Sequence, residues 1–145
     1  MIFISHRGNL NGINKDRENS PFYIEEALSQ GFNVEVDVWF LNGKFYLGHD
    51  APQYETDYKF LINDKLWCHA KNIESLFEMK KYVIHYFWHE KDTVTLTSKN
   101  YVWAYPTKIF AENTIAVLPE ILDSEVNKCK GICSDFVLKY KEIYG

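Results

Sequence analysis

Short apolar runs recur along the chain, separated by polar or glycine-bearing segments. Runs at Ile2–Ser5, Asn33–Phe40, Lys44–Gly48, Leu66–Ala70, Val83–Trp88, Tyr101–Ala104, Ile115–Leu118 and Gly131–Asp135 have strand length and are rich in β-branched and aromatic residues. Asn42-Gly43 lies between the second and third and favours a tight hairpin turn. Helical spacing marks Pro21–Gln30, Ile73–Lys80, Pro119–Asn127 and Phe136–Ile143. Ser20 can cap the first helix, with Pro21 at its first position and Gly31 to end it. Strands alternating with helices predict an α/β fold. Eight strands suit a (β/α) barrel, but a full barrel usually takes roughly 250 residues. The 145 residues here therefore predict a minimal TIM-type barrel with helices reduced to loops, or an incomplete or open one. No repeat, low-complexity tract or long linker divides the chain, so one domain over residues 1–145 is expected.

Polar residues interrupt or end several of these runs. Glu35 and Asp37 are two apart on a strand, so their side chains share a face, while Val34, Val36 and Val38 share the other. Two carboxylates on an apolar strand are costly to bury together unless a cation neutralises them, and oxygen ligands favour Mg²⁺ or Ca²⁺. The plainer alternative is a solvent-facing strand with ordinary acids. His6 and His49 each follow an apolar run. Histidine suits proton transfer near neutral pH, although a single histidine at a strand end more often has a structural role. Arg7 can grip a phosphate with two hydrogen bonds, and Lys71, two residues after His69, can act as a point charge. Gly8 and Gly48 keep the backbone uncrowded beside these groups. His85 and His89 can share a face, where a structural or rim position is expected. No P-loop or dinucleotide fingerprint is present.

Composition narrows the picture. The chain is 46% hydrophobic, with ten Tyr, ten Phe and four Trp, enough for a core filled with large rings. The net charge of -4 and the lack of a Lys/Arg run argue against nucleic-acid binding. The opening Met1-Ile2-Phe3-Ile4 has no cationic start and is too short for a signal peptide, and no segment reaches the length of a membrane span. Three cysteines, an odd number, fit reduced thiols in a cytoplasmic setting.

Taken in order, His6-Arg7-Gly8, Glu18-Asn19, Glu35-x-Asp37 and His49-Asp50 resemble the N-terminal signature of the glycerophosphodiester phosphodiesterase family, within the PLC-like phosphodiesterase superfamily. His69-Ala70-Lys71 sits where that family usually has Glu-x-Lys. Trp103 resembles the tryptophan of its penultimate barrel strand, and Ser134-Asp135 its Thr-Asp pair on the last strand. The resemblance is strongest from His6 to Asp50 and weakest between Asp92 and Lys130.

It implies a barrel that hydrolyses a small-molecule phosphodiester at the C-terminal ends of its strands. His6 and His49 would then be general acid and base. Glu35 and Asp37 would hold one divalent ion, Mg²⁺ or Ca²⁺, with a third carboxylate that is here replaced by His69. Arg7 and Lys71 would bind phosphate, supported by Glu18, Asn19 and Trp103. An imidazole in the ligand set shifts preference towards Mn²⁺ and other transition metals. The chain also lacks room for the family's inserted substrate-capping region. Two alternatives stand beside hydrolysis: a phospholipase-D-like lyase that forms a cyclic phosphate, and a non-catalytic phosphate-ligand-binding protein. A purely structural α/β domain is the third, and it leaves the clustered polar strand ends unexplained.

Overall fold

The structure is a computed structural model that describes all residues, 1–145. In chain order the elements are β1 (Ile2–His6), α1 (Pro21–Ser29), β2 (Asn33–Leu41), β3 (Lys44–Leu47), β4 (Tyr54–Thr56), α2 (Tyr58–Leu61), β5 (Leu66–Ala70) and α3 (Ile73–Met79). There follow β6 (Tyr86–Trp88), β7 (Val94–Leu96), β8 (Val102–Ala104), β9 (Ile115–Val117), a 3-10 turn at Pro119–Ile121, β10 (Gly131–Ser134) and α4 (Val137–Tyr144). All eight expected strands form, though β6 starts at Tyr86 rather than Val83, because the turn that follows α3 runs on to Val83. Ser20 caps α1 by accepting from the Tyr23 N–H, and Asn42 and Gly43 take positive φ in the β2–β3 hairpin. The three-residue strands β4 and β7 were not expected, being too short to show a period of two.

The helix expected over Pro119–Asn127 does not form. Only one 3-10 turn is present, bracketed by Leu118 and Asp123, which both take left-handed backbone (φ 47° and 49°). That conformation cannot continue a right-handed helix. The Leu122 and Ser124 N–H groups both turn back to the Pro119 carbonyl instead.

One mixed sheet contains all ten strands. Its parallel part runs β6-β5-β2-β1-β10-β9-β8, with β3 antiparallel on β2 and β7 antiparallel on β8. β6 and β8 are the two ends of that parallel run, yet Phe87 and Trp103 from them stack with centroids 4.7 Å apart. The sheet is therefore curled onto itself, a half-barrel whose concave face is packed. Ile4, Trp67, Phe87, Trp103, Ile115, Val117 and Cys133 fill it. The gap between β6 and β7 is stitched by Ser98 N–H to the Tyr86 carbonyl and Thr95 Oγ1 to the Trp88 carbonyl.

The convex face carries a larger core. Val34, Val36 and Val38 of β2 pack there with Ile24 and Ala27 of α1, Leu66, Cys68 and Met79. Each fully buried aliphatic side chain of this kind contributes about 1.5–3 kcal/mol. Helices cover only part of this face, because several connections between strands are loops. The three cysteines are free and buried.

At the narrow end of the concave core, His85 is buried against Trp67, with ring centroids 4.3 Å apart, and pairs with Thr97 Oγ1 at 2.8 Å. Burial, with a smaller contribution from Lys99, lowers its pKa to about 4. A depressed pKa means the neutral ring is held in the folded state. The stability this gives is complete above the unfolded pKa of about 6.5 and is lost as pH falls towards 4. That difference is worth about 3 kcal/mol. Urea unfolding of wild type and His85→Gln from pH 7 to 4 should show the wild type losing about this much more stability than the variant. Parallel curves would show that His85 takes up no proton on unfolding.

Candidate functional site

The polar residues converge at the C-terminal end of the parallel strands, where one edge of β2 changes partner. Along this edge the Glu35 carbonyl accepts from Arg7 N–H, as the chain is leaving β1. Two residues on, the Asp37 N–H donates to Asn19 Oδ1 at 2.9 Å, and its carbonyl accepts from Gly48 N–H at 3.1 Å. The Asn19 side chain thus bridges the break between β1 and β3. It also donates from Nδ2 to Asp37 Oδ2 at 2.9 Å. Arg7 and Asn19 both adopt positive φ, and Gly8 between them has φ +96°. A Cβ at Gly8 would lie 2.7 Å from the Tyr23 ring, so glycine is needed for space as well as for conformation.

Glu35 and Asp37 point into the concave side, almost fully buried, beneath a cluster of cations and imidazoles. Asp37 Oδ2 lies 3.0 Å from Arg7 Nε and 3.3 Å from His49 Nδ1. Its Oδ1 lies 3.3 Å from His69 Nδ1 and 3.8 Å from Lys71 Nζ. Burial alone would raise the Asp37 pKa, but the flanking His49 and His69 rings and Arg7 hold it well below the usual carboxylate range. Glu35 has weaker company: His6 Nε2 at 3.8 Å and His69 Nδ1 at 3.7 Å. Burial and the Asp37 charge raise its pKa.

His69 is preset for a ligand role. Its Nε2 lies 3.0 Å from the His89 main-chain carbonyl, which can only accept, so Nε2 carries the proton. Nδ1 therefore faces both carboxylates, donating towards them when the ring is protonated and offering them a lone pair, free for an ion, when it is neutral. Glu35 Oε2 and Asp37 Oδ1 are buried and make no hydrogen bond. One donor atom from each of Glu35, Asp37 and His69 lies within 4.8 Å of the others. Two unpaired carboxylate oxygens and an imidazole lone pair, buried side by side, fit a divalent cation.

His6 is oriented by a residue that the sequence pattern only hinted at. Its Nδ1–H donates to Asp135 Oδ1 at 2.7 Å, which leaves Nε2 facing Glu35. Asn9, also unforeseen, donates from Nδ2 to Asp135 Oδ1 and Glu18 Oε1, both at 2.8 Å. Glu18 in turn lies 3.3 Å from Arg7 NH1. Burial works to lower the His6 pKa, but the Asp135 hydrogen bond and the Glu35 charge outweigh it and the net shift is upward. The signal for Asp135 was the resemblance of Ser134-Asp135 to a Thr-Asp pair on the last strand, which gave it no partner or role.

His49 is half-buried, with Nε2 3.4 Å from Arg7 NH2. Arginine only donates, so this ring offers a lone pair at Nε2. Trp103 is buried and forms part of the cavity floor. His85 and His89 share the concave face but separate in depth: His89 reaches the cavity rim and His85 does not. His6, Arg7, Glu35, His49, His69 and Lys71 together line one cavity of about 370 Å³.

No family model, curated protein or solved structure matches the chain. No helix is long and apolar enough to cross a membrane.

Glu35 is a cost to the metal-free protein, because a buried, incompletely paired carboxylate is destabilising. Glu35→Gln keeps the shape and removes the charge. In EDTA it should raise stability by about 1–3 kcal/mol, and it should weaken Mn²⁺ binding at least tenfold. Thermal unfolding with EDTA and calorimetric titration with Mn²⁺ read the two effects. A variant that binds Mn²⁺ like the wild type would remove Glu35 from the ligand set.

Proposed function

We propose that this protein is a metal-dependent phosphodiesterase of the glycerophosphodiester phosphodiesterase type, built on an incomplete TIM-type barrel. The observation that carries the proposal is the buried Glu35–Asp37–His69 group, with its unpaired carboxylate oxygens, placed between two histidines with opposite hydrogen-bonding bias. A divalent ion held there would polarise a phosphate oxygen and offset developing negative charge.

The chain's own residues supply the rest. Arg7 and Lys71 border the cavity and hold the phosphate's negative charge. Asp135 fixes the His6 tautomer and favours its cation, so His6 Nε2–H gives a proton to the departing alcohol oxygen. His49 Nε2, whose lone pair faces Arg7 across a long 3.4 Å contact, takes the proton of the attacking water once that contact gives way. Asn19 and Glu18 hold Asp37 and Arg7 in place. An imidazole among the ligands favours Mn²⁺ over Mg²⁺ and Ca²⁺.

Turnover of bis(p-nitrophenyl) phosphate with Mn²⁺, Mg²⁺, Ca²⁺ or EDTA tests the proposal. EDTA should abolish activity and Mn²⁺ should restore it best. His6→Ala and His49→Ala should each lower kcat by about two to four orders of magnitude. Asp135→Asn should lower kcat by at least tenfold and leave KM little changed, because it disturbs proton transfer without touching substrate. Full wild-type turnover in the His6→Ala/His49→Ala double variant would end the acid–base assignment. Absence of turnover on any diester, with metal and phosphate still bound, would favour a phosphate-ligand-binding protein. A cyclic phosphate product from a substrate with a neighbouring hydroxyl would identify a lyase.

His69→Glu restores a third carboxylate and should strengthen Mg²⁺ and Ca²⁺ binding relative to Mn²⁺. An unchanged rank and spacing of the three affinities, measured by calorimetry, would show that His69 does not touch the ion.

A further inference from the structure

Besides the charged and imidazole groups around Asp37, and Glu90 next to His89, the same cavity has an apolar stretch of lining. There the wall is made by Val117 at the end of β9, Leu118 after it and Tyr105 after β8, with Trp103 below. The His89 ring stacks on Tyr105 with centroids 3.7 Å apart and planes 19° apart. His89 is tied at its ring to the Asp92 carbonyl and through its own carbonyl to His69. The Tyr105 ring is thus backed by a side chain that is itself anchored, and a flat apolar surface stands ready before any ligand arrives. Leu118 reaches this wall from a left-handed backbone (φ 47°, ψ 49°), a conformation unfavourable for leucine.

On the other side lies a second cavity of about 410 Å³. It shares only Arg7 and His49 with the first. Apart from Ala51 its lining is polar, including Lys15, Glu18, Asp50 and Gln53. The two ester groups of a phosphodiester leave phosphorus in different directions. A phosphate seated at Arg7 therefore directs one alcohol group into each cavity, and the cavities are unlike.

We infer that the substrate is an unsymmetrical phosphodiester in which one alcohol carries an aromatic or alkyl body, seated against Tyr105, Val117 and Leu118, while the other is polar and faces the Lys15–Asp50–Gln53 side. This rests on the phosphate site proposed above and adds which ester group the enzyme selects. His6, the residue that protonates the departing oxygen, lines the first cavity and not the second, so the apolar group seated there is the leaving alcohol. The bond broken is the P–O bond to that alcohol. Water supplies the new P–O bond, and its proton is taken up by His49.

Binding can be read without turnover. Phenylphosphonate and methylphosphonate, titrated calorimetrically in the presence of Mn²⁺, differ only in the group that would meet the apolar wall. Phenylphosphonate should bind about 10- to 100-fold more tightly, the range expected for burying a ring of this size. Leu118→Gly removes part of the wall and suits the left-handed backbone, so the fold is retained. It should cut the phenyl-to-methyl ratio at least threefold. Tyr105→Ala should cut it further. Equal affinities in the wild type, a ratio unmoved by both variants, or no binding of either probe would overturn the inference. A protein that prefers phenylphosphonate yet hydrolyses no diester keeps the apolar subsite and loses the hydrolase proposal. One that hydrolyses diesters without that preference does the reverse.

Discussion

Two carboxylates buried side by side on one strand constrain the whole of this molecule's upper end. Asp37 is fully buried and Glu35 nearly so. Removing two such charges from water costs several kcal/mol each unless partners compensate. Asp37 collects them: Arg7, His49, His69, Lys71 and both ends of the Asn19 amide surround it. Glu35 does not, and its raised pKa records the shortfall. The pair is therefore divided into an acid whose charge is secured by the protein and one whose charge awaits an outside partner. The two charges therefore differ in consequence: removing that of Asp37 would strand Arg7 and Lys71, while removing that of Glu35 relieves the buried pair.

Securing Asp37 has shaped the backbone around it. β1 cannot continue along β2 past Glu35 without covering the Asp37 side chain's partners. The chain turns away through left-handed Arg7 and Gly8, and returns with left-handed Asn19 to fill the hydrogen bonds that β1 vacates. β3 resumes the pairing only from Val38 onward. Gly48, whose φ is +153° and whose Cβ would overlap the Ala51 carbonyl, brings His49 back over Asp37. These positions cost conformational free energy one by one, and the charges they serve would be uncompensated without them.

Much of this arrangement was legible because it is local. Alternation of period two placed Glu35 and Asp37 on one face and Val34, Val36 and Val38 on the other, and the observed cores agree. The same logic carried His69 towards the carboxylates. What stayed hidden depends on distant or conformational facts. The His6–Asp135 bond joins residues 129 apart in sequence and exists only because β1 pairs with β10. The loss of the helix after Pro119 depends on left-handed backbone at Leu118 and Asp123, residue types that give no warning of it. His85 and His89 share a face, and only the depth of the packed core separates a buried structural ring from one at the cavity rim.

The seam between β1 and β10 also links the chemistry to the folding of the entire chain. His6 ends the first strand and Asp135 directly follows the last, and the sheet curls until Phe87 and Trp103, from opposite ends of its parallel run, are in contact. The rings of Trp103 and Phe87 close the concave side beneath Glu35, and they keep water from screening the carboxylates from below. Low local dielectric strengthens the pull of Arg7 and His49 on Asp37, and it equally raises the penalty for leaving Glu35 unmatched. The packed aromatic floor and the unpaired oxygens are thus linked: the same rings that fill the concave side of the half-barrel raise the cost of leaving Glu35 unmatched.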